Sequence, residues 1–340
     1  MPRYKPYGQQ TVFDTLFREK VVRKKTSILQ EIGEYLDFEI FRPLLEGVFR
    51  DSGMGPCRYD VVLMWKIVML QKWYGLSDPG VEEEISDRLS FREFLGLSLN
   101  DDIPDETSIC LFRNRLKETE SYEWLFEILN QELERRHVKV RGGAMVDATF
   151  IGAPKGKRKD GGKTDPDADY GHKGHGYSMH NNVGKEDKLL HELEVTSARS
   201  HDSQHFEDVQ VGDEREIWAD SAYRSEEREK ALKAEGIVSH ILEKAQRNKP
   251  LTPEQEASNK AKSKVRARVE HPHAQLKEHQ KFTRTRYTGL AANRCDAFLH
   301  AIAYNLRRGV FLLKQQARQV VEDIKKGLDT ALRESCPQFA

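Results

Sequence analysis

From Ala144 onwards, short strand-like runs alternate with helical runs, and this order restricts the possible folds more than any other feature of the sequence. The strand-like runs lie at 144–151, 177–182, 189–198, 216–220 and 237–242. Helical runs lie at 203–209 and 225–235, and a long basic helix begins at Pro253. Three strands in succession, followed by strands that alternate with helices, predict three antiparallel strands with two parallel additions and helices on both faces.

The segments on either side of this region are predicted to be helical. Residues 10–140 lack strand-like alternation, and their most apolar run, Val61 to Leu70, contains Lys66, so it indicates a buried helix rather than a membrane span. The element order between the helical segments resembles that of ribonuclease-H-like domains. The predicted fold is an α/β protein with a ribonuclease-H-like mixed sheet, preceded by an all-helical N-terminal domain and followed by a helical tail. The predicted boundaries are 1–140, 141–289 and 290–340, and the tail is expected to pack on the core.

A polar segment, Pro154 to Gly176, separates the first two strands. It has low hydrophobicity and contains six Lys or Arg and six Gly. We expect it to be mobile or to become ordered only on binding. His172, His175 and His180 lie in or beside this segment without a fixed ligand spacing, so solvated or DNA-facing roles are expected for them.

Basic residues are concentrated in two segments, although the chain has 55 basic and 55 acidic side chains and no net charge. Residues 1–30 hold seven Lys or Arg against two acids, and residues 258–288 hold nine against two. Two distant basic segments in a neutral protein predict a surface for a polyanion. A pair of solvated helix faces remains the alternative.

Three acidic residues occupy positions that this topology brings together. Asp147 lies within the first strand, Asp220 ends the fourth, and Glu270 lies on the basic helix. If these strands are parallel neighbours and the helix packs across them, the three carboxylates converge. Converging carboxylates require cations, and hard oxygen ligands favour Mg²⁺, with Mn²⁺ as a substitute. Each acid alone is also explained as a turn or cap residue, although Asp147 between apolar neighbours is costly to bury without a partner.

The helix around Glu270 carries basic side chains on the same face. Arg266, Glu270, His273 and Lys277 are spaced i, i+4, i+7 and i+11. A lone carboxylate framed by cations suits a metal ligand beside phosphates. An Arg four residues away is equally explained as a surface ion-pair partner, worth under ~1 kcal/mol. Pro272 is expected to kink or restart the helix.

The cysteines indicate the compartment. The four are widely scattered without the spacing of a zinc site, and the chain lacks an apolar secretory segment. This pattern predicts reduced thiols in a cytoplasmic protein with no membrane-embedded part.

Several phrases of the sequence are similar to those of the DDE transposases of bacterial insertion sequences, specifically the insertion-sequence-five group. In the α/β region they are Val146-Asp147-Ala148-Thr149, Ala219-Asp220-Ser221-Ala222-Tyr223, Val269-Glu270-His271-Pro272 with Lys277, and Thr283 to Ala291. In the helical region they are Leu70 to Asp78 and Pro104 to Ser108. These sequence segments occur in the same order and at similar spacings as in the family, and the resemblance covers residues 55–310.

This resemblance implies a DNA transposase that cuts transposon ends and joins their 3′ hydroxyls to target DNA by two-metal-ion phosphoryl transfer. Asp147, Asp220 and Glu270 are then the catalytic and metal-binding residues, with Mg²⁺ as the cofactor or Mn²⁺ in its place. The residues expected to hold DNA phosphates are Arg266, Lys277, Lys281, Arg284 and Arg286. The implied partners are double-stranded DNA, at the terminal inverted repeats and the target, and a second copy of the chain in a homodimer.

Two positions depart from the family's Tyr-Arg-Glu-Lys signature around the third acid. Arg266, Glu270 and Lys277 have its spacing, but Ser263 stands at the tyrosine position and His273 where a phenylalanine is often seen. The tyrosine's role is therefore not carried over, and neither change touches a metal ligand.

Two other functions stay open. One is a transposon-derived protein that binds DNA without cutting, against which the intact acids argue. The other is a metal-dependent nuclease of the same fold that does not join ends.

Overall fold

The computed structural model describes most of the chain. The described residues are 4–5, 7–8, 27–49, 58–154, 164–245 and 250–335, with side chains described as far as 326. Most of the basic N-terminal segment and residues 155–163 of the polar segment lie outside these ranges, so the structure does not bear on the predictions made for them.

A bundle of helices precedes the sheet, as predicted. Its described α-helices are α1 (Ile28–Tyr35), α2 (Arg42–Val48), α3 (Val61–Tyr74), α4 (Asp78–Asp87), α5 (Leu89–Leu95), α6 (Glu106–Glu118) and α7 (Ser121–Arg135). The central helix, α3, is buried on nearly every side, which its apolar circumference requires. Asp60 caps its first turn by accepting from the Val62 and Leu63 amides. Gly75, with φ of 60°, ends it in the left-handed conformation.

The strands form one mixed sheet. They are β1 (Gly143–Gly152), β2 (Asp169–Gly171), β3 (Gly174–Gly184), β4 (Leu190–Ser197), β5 (Glu216–Ala219) and β6 (Val238–Ser239). β3 pairs antiparallel with β1, with β4 and with the short β2, whereas β5 pairs parallel with β1 and with β6. The predicted ribonuclease-H-like order of antiparallel strands with two parallel additions is therefore confirmed.

The two faces of the sheet pack against different cores. Val146 and Ala219 face a small core that includes Leu232 from helix α8 (Glu226–Ala234). Met145 and Trp218 face the larger core, which also contains the apolar residues of the helical bundle. Because side chains alternate along a strand, the next residues of β1 and of the chain after β5, at 147 and 220, belong to the side of the larger core.

The C-terminal helix, α11 (Leu290–Ser335), closes the larger core. It packs against α1, α3, α7 and β4 and buries Phe298, Ile302, Leu306 and Val310, the stripe expected from the sequence. One continuous apolar core thus includes residues from all three predicted segments. Within the described residues, no helix has the combined length and apolar character needed to cross a membrane.

The basic segment before and after Glu270 is helical but not uniform. Helix α9 (Pro253–Arg266) passes through a 3-10 turn into α10 (Glu270–Ala274), and a π-helical turn follows at Gln275–His279. A new α-helix begins at Glu270, as expected near Pro272, which lies in the first turn of α10, where its missing amide hydrogen is not required. A π-turn is frequent at functional sites, and this one contains Lys277.

Some local predictions were wrong. The polar segment is partly ordered, because β2 and the first residues of β3 form a hairpin within it. His175 and His180 are buried on β3 rather than solvated or DNA-facing. The strand predicted at 237–242 is only β6, and the helix predicted at 203–209 is two 3-10 turns. These segments are short, so their sequences carry little periodic signal.

A buried polar network joins α3 to α11. Lys72 forms an ion pair with Asp296, and both side chains are almost wholly inaccessible. Burial raises the pKa of Asp296, but the charge of Lys72 and its hydrogen bond, together with the charges of His300 and Arg113, hold that pKa below its usual value. His300 lies one turn beyond Asp296, and its Nδ1 is 2.6 Å from the Gln280 side-chain amide. The network therefore fixes how the bundle, the tail and the segment after the π-turn meet.

We expect the free energy of unfolding to decrease as the pH falls from about 6.5 towards 3. Burial lowers the pKa of His300 to about 3, so the folded state keeps this ring neutral while the unfolded chain protonates it. The unfolded state then binds more protons, and stability rises with pH by up to ~1.4 kcal/mol per pH unit for this group. Urea unfolding between pH 4 and 7 should give a smaller slope for His300→Gln than for the wild type. Equal slopes would contradict the assignment.

Candidate active site

Asp147 and Asp220 lie on neighbouring parallel strands, as the topology predicts. β1 and β5 are in register at Val146 and Ala219, so each aspartate is the next residue beyond this pair. The Asp147 side chain is 17% exposed and that of Asp220 43%. One oxygen of Asp220 accepts from the Ser221 amide at 2.6 Å and begins a 3-10 turn, so this residue is also a cap. The other oxygen is free to face the site.

Arg266 lies between the two aspartates. Its Nη2 is 3.5 Å from Asp147 Oδ1 and 3.6 Å from Asp220 Oδ2. Its buried Nε has no hydrogen-bond partner among the described residues. The guanidinium was predicted to hold a DNA phosphate, but in this structure it offsets the repulsion between two carboxylates.

The third acid, Glu270, begins α10 and is exposed. One turn later the buried His273 places Nε2 3.0 Å from Asn181 Nδ2, and Asn181 is the β3 partner of Asp147. Burial lowers the pKa of His273, and the charges of Asp147 and Glu270 oppose that change. Burial and the nearby Lys173 likewise lower the pKa of Lys277, again opposed by Glu270 and Asp147. Asp147 and Glu270 therefore act on the same pair of side chains.

The acids suit a divalent cation without forming a closed ligand set. Asp147 and Asp220 both approach one positive group, the guanidinium of Arg266. Their hard oxygen atoms match the preference of Mg²⁺. In the ranges that the structure describes, however, no three Asp, Glu, His or Cys side chains are close enough to hold one ion. Glu270 stands beside the aspartate pair rather than within it.

The remaining predicted DNA contacts lie on a segment that ties the sheet to the bundle. Thr283 and Thr285 bond to the backbone of Gly152 and extend the end of β1, with Arg284 between them. Arg286 donates to the carbonyls of Gly75 and Leu76 at 2.7 and 2.6 Å.

Lys281 lies against the bundle as well. A Cβ at Gly75 would lie 2.9 Å from Lys281 Cδ, so this glycine permits the close approach. Lys281 and Arg286 therefore have partners in the fold, and their DNA contact stays a prediction.

Sequence reasoning missed several residues of this region. Asn181 was assigned to a strand, but its position opposite Asp147 depends on a register that the sequence does not specify. Tyr223 was named only as the last residue of a family-like segment, and the structure places it both in the core and near the acids. Its ring packs on Phe206, whereas its hydroxyl is buried in the fields of Asp147 and Asp202. The only sequence signal for a position near the acids was that Tyr223 follows Asp220 by three residues.

A mixed sheet of this order, with aspartates at adjacent positions of its two central parallel strands, defines a protein of the ribonuclease-H-like class. The sequence model of the family described as "Transposase DDE domain" matches residues 139–306, and one described as a transposase domain matches residues 17–115. The chain belongs to the DDE transposases, of the insertion-sequence-four and insertion-sequence-five type, which confirms the resemblance. Among solved structures it is similar to a chain of the "piggyBac transposase synaptic complex with hairpin DNA". That match has 12% identity and a TM-score of 0.45, and covers 93% of this chain and 78% of the other.

Proposed function

We propose that this chain is an active, metal-dependent DNA transposase that cleaves transposon ends and joins their 3′ hydroxyls to target DNA. One observation carries the proposal: Asp147 and Asp220 both approach Arg266, and the charges of Asp147 and Glu270 both act on Lys277. Acids in this arrangement suit divalent-cation binding beside a phosphodiester.

All three acids would take part in binding the cofactor. Asp147 within β1 and Asp220 after β5 would hold the cation, and Glu270 would complete the site from the helix. When bound, Mg²⁺ or Mn²⁺ supplies charge stabilisation for an in-line displacement at phosphorus. The positive charge of Arg266 offsets the negative charges of the two aspartates. Its planar guanidinium donates hydrogen bonds as readily to a phosphate as to a carboxylate. Lys277 provides a point charge next to Glu270 for the phosphate that flanks the scissile bond.

We propose that the partners are double-stranded DNA and a second copy of the chain. Lys281, Arg284 and Arg286 follow Lys277 in sequence and extend its positive charge towards the bundle, where residues 1–140 are suited to recognise the terminal inverted repeats. Residues 141–289 are the catalytic part and residues 290–340 pack on it.

A homodimer is supported by exposed apolar side chains on the later turns of α11, those of Val320, Val321 and Ile324. An antiparallel pair of these helices centred near Val320 would bring Arg318 of one copy towards Glu322 of the other.

Two alternatives share parts of this site. A DNA-binding protein without catalysis is disfavoured by the intact aspartate pair. A nuclease of the same fold would use water rather than a 3′ hydroxyl at the same acids, so the distinction lies in the nucleophile.

The test uses labelled DNA that carries the element's own ends, incubated with Mg²⁺ and a target plasmid. We expect cutting at the ends and transfer of the 3′ label into the plasmid, with light scattering reporting a mass of two chains. Cutting without transfer would favour the nuclease, and binding without cutting in Mg²⁺ or Mn²⁺ would favour the inactive protein.

A further inference from the structure

A further carboxylate, that of Asp202, lies near the turn that follows Asp220. Asp202 begins the 3-10 turn Asp202–His205, between β4 and β5, which packs against the turn Ser221–Tyr223 that follows Asp220. Its side chain is 40% exposed, so it forms part of the open surface of the site. Burial raises the pKa of Asp202, Lys173 lowers it, and the charge of Asp147 raises it further. The two carboxylates thus lie within each other's field.

Two buried polar groups beside Asp202 have no hydrogen-bond partner. His180 is 1% exposed, and its Nδ1 makes no hydrogen bond and lies 3.8 Å from Asp202 Oδ1, while its Nε2 is fixed at 2.9 Å from Thr196 Oγ1. The Tyr223 hydroxyl is also buried without a partner, and its pKa is raised by burial, then by Asp147 and Asp202. Buried groups of this kind are rare because a buried polar atom without a partner destabilises the fold. Both groups therefore lack a partner that a bound ligand or a moved side chain would supply.

We propose that Asp202 is a fourth acidic residue for divalent-cation binding at this site, positioned by His180 and Tyr223. The ligand class follows from the charges, because two carboxylates that repel each other require a cation rather than an anion between them. If the carboxylate of Asp147 or of Asp202 moved towards Tyr223, it would accept a hydrogen bond from the Tyr223 hydroxyl, which has no acceptor in this structure. This inference rests on the proposed function, since it assigns one more residue to the same cofactor.

The experiment measures Mn²⁺ affinity in two ways, by calorimetric titration of the full chain with Mn²⁺ alone and by the Mn²⁺ dependence of end cleavage. The variants are Asp202→Asn and Tyr223→Phe. The matched control is Glu207→Gln, which removes an acid from the same segment that instead pairs with Arg228 on the surface. For Asp202→Asn we expect affinity to fall about 10- to 100-fold, with cleavage recovering at high Mn²⁺. Tyr223→Phe should change affinity in the same direction by less, and Glu207→Gln should resemble the wild type.

The outcomes separate this inference from the proposed function. If the wild type cleaves and Asp202→Asn matches it in Mn²⁺ affinity and midpoint, Asp202 is not part of the cation site, although the transposase function stands. If Asp202→Asn loses maximal cleavage without a change in the Mn²⁺ midpoint, its role is structural and the inference is wrong. If the wild type itself neither binds Mn²⁺ nor cleaves, both proposals fail.

Discussion

Glu270→Gln is expected to reduce the rate of end cleavage by ~10³-fold or more while leaving binding to the same DNA nearly unchanged. The substitution keeps the size of the side chain and removes the negative charge that we propose completes the cation site. A loss of about 4 kcal/mol of transition-state stabilisation corresponds to such a factor. Because Glu270 is exposed at the start of α10, the fold should tolerate the amide. Single-turnover cleavage and a gel-shift titration on the same preparation measure the two quantities.

The matched control is Glu278→Gln, an exposed acid on the same helical segment that lies in the π-turn. This variant should cleave within a few-fold of the wild type, because its charge is not one of those acting on His273 or Lys277. Equal losses in both variants would mean that the segment's net charge matters rather than the third acid. Full activity of Glu270→Gln would exclude Glu270 from the site.

Lys72→Met is expected to lower the free energy of unfolding by about 3–5 kcal/mol, the cost of leaving one member of a buried ion pair without its partner. Asp296 lies at the contact of α3 and α11, and it would lose the ammonium that pairs with it and keep the longer contact of 3.8 Å to His300 Nε2. Urea unfolding followed by circular dichroism measures the change. The double variant Lys72→Met/Asp296→Leu should recover most of the loss, since apolar residues of similar volume replace buried pairs at little cost.

Lys66→Met provides the comparison on the same helix. Lys66 is also largely buried, and burial lowers its pKa, but its Nζ donates to the Phe94 carbonyl rather than pairing with an acid. We expect this substitution to change stability by less than ~1 kcal/mol. A loss as large as that of Lys72→Met would show that packing of the methylene chain, not the ion pair, accounts for both results.

Periodicity predicted the elements that carry the site, but not the contacts made within it. The alternation around Asp147 and the position of Asp220 at a strand end predicted two parallel neighbours, and β1 and β5 are paired in that way. In contrast, nothing in the sequence near Arg266 indicates that its guanidinium lies between these two aspartates. That contact depends on how α9 crosses the sheet, which is a property of tertiary packing.

The same limit applies to the buried polar residues. Lys72 was visible only as a charge at the end of an apolar helix, because its partner Asp296 is 224 residues away. His180 was assigned to a solvated role because the glycine-rich residues before it carry no alternation, although they form the β2–β3 hairpin. Register and long-range partners are selected by the whole core, so a local pattern does not contain them.

The packing of α11 against α1, α3, α7 and β4 has a consequence for biosynthesis. A chain that emerges from the ribosome with its N terminus first exposes the apolar faces of the bundle until α11 follows. The apolar faces of the early helices and of β4 therefore stay exposed to solvent until α11, the last described element, completes their shared core. A transcript truncated before Leu290 would yield a nascent chain prone to aggregation and degradation rather than a free-standing DNA-binding half.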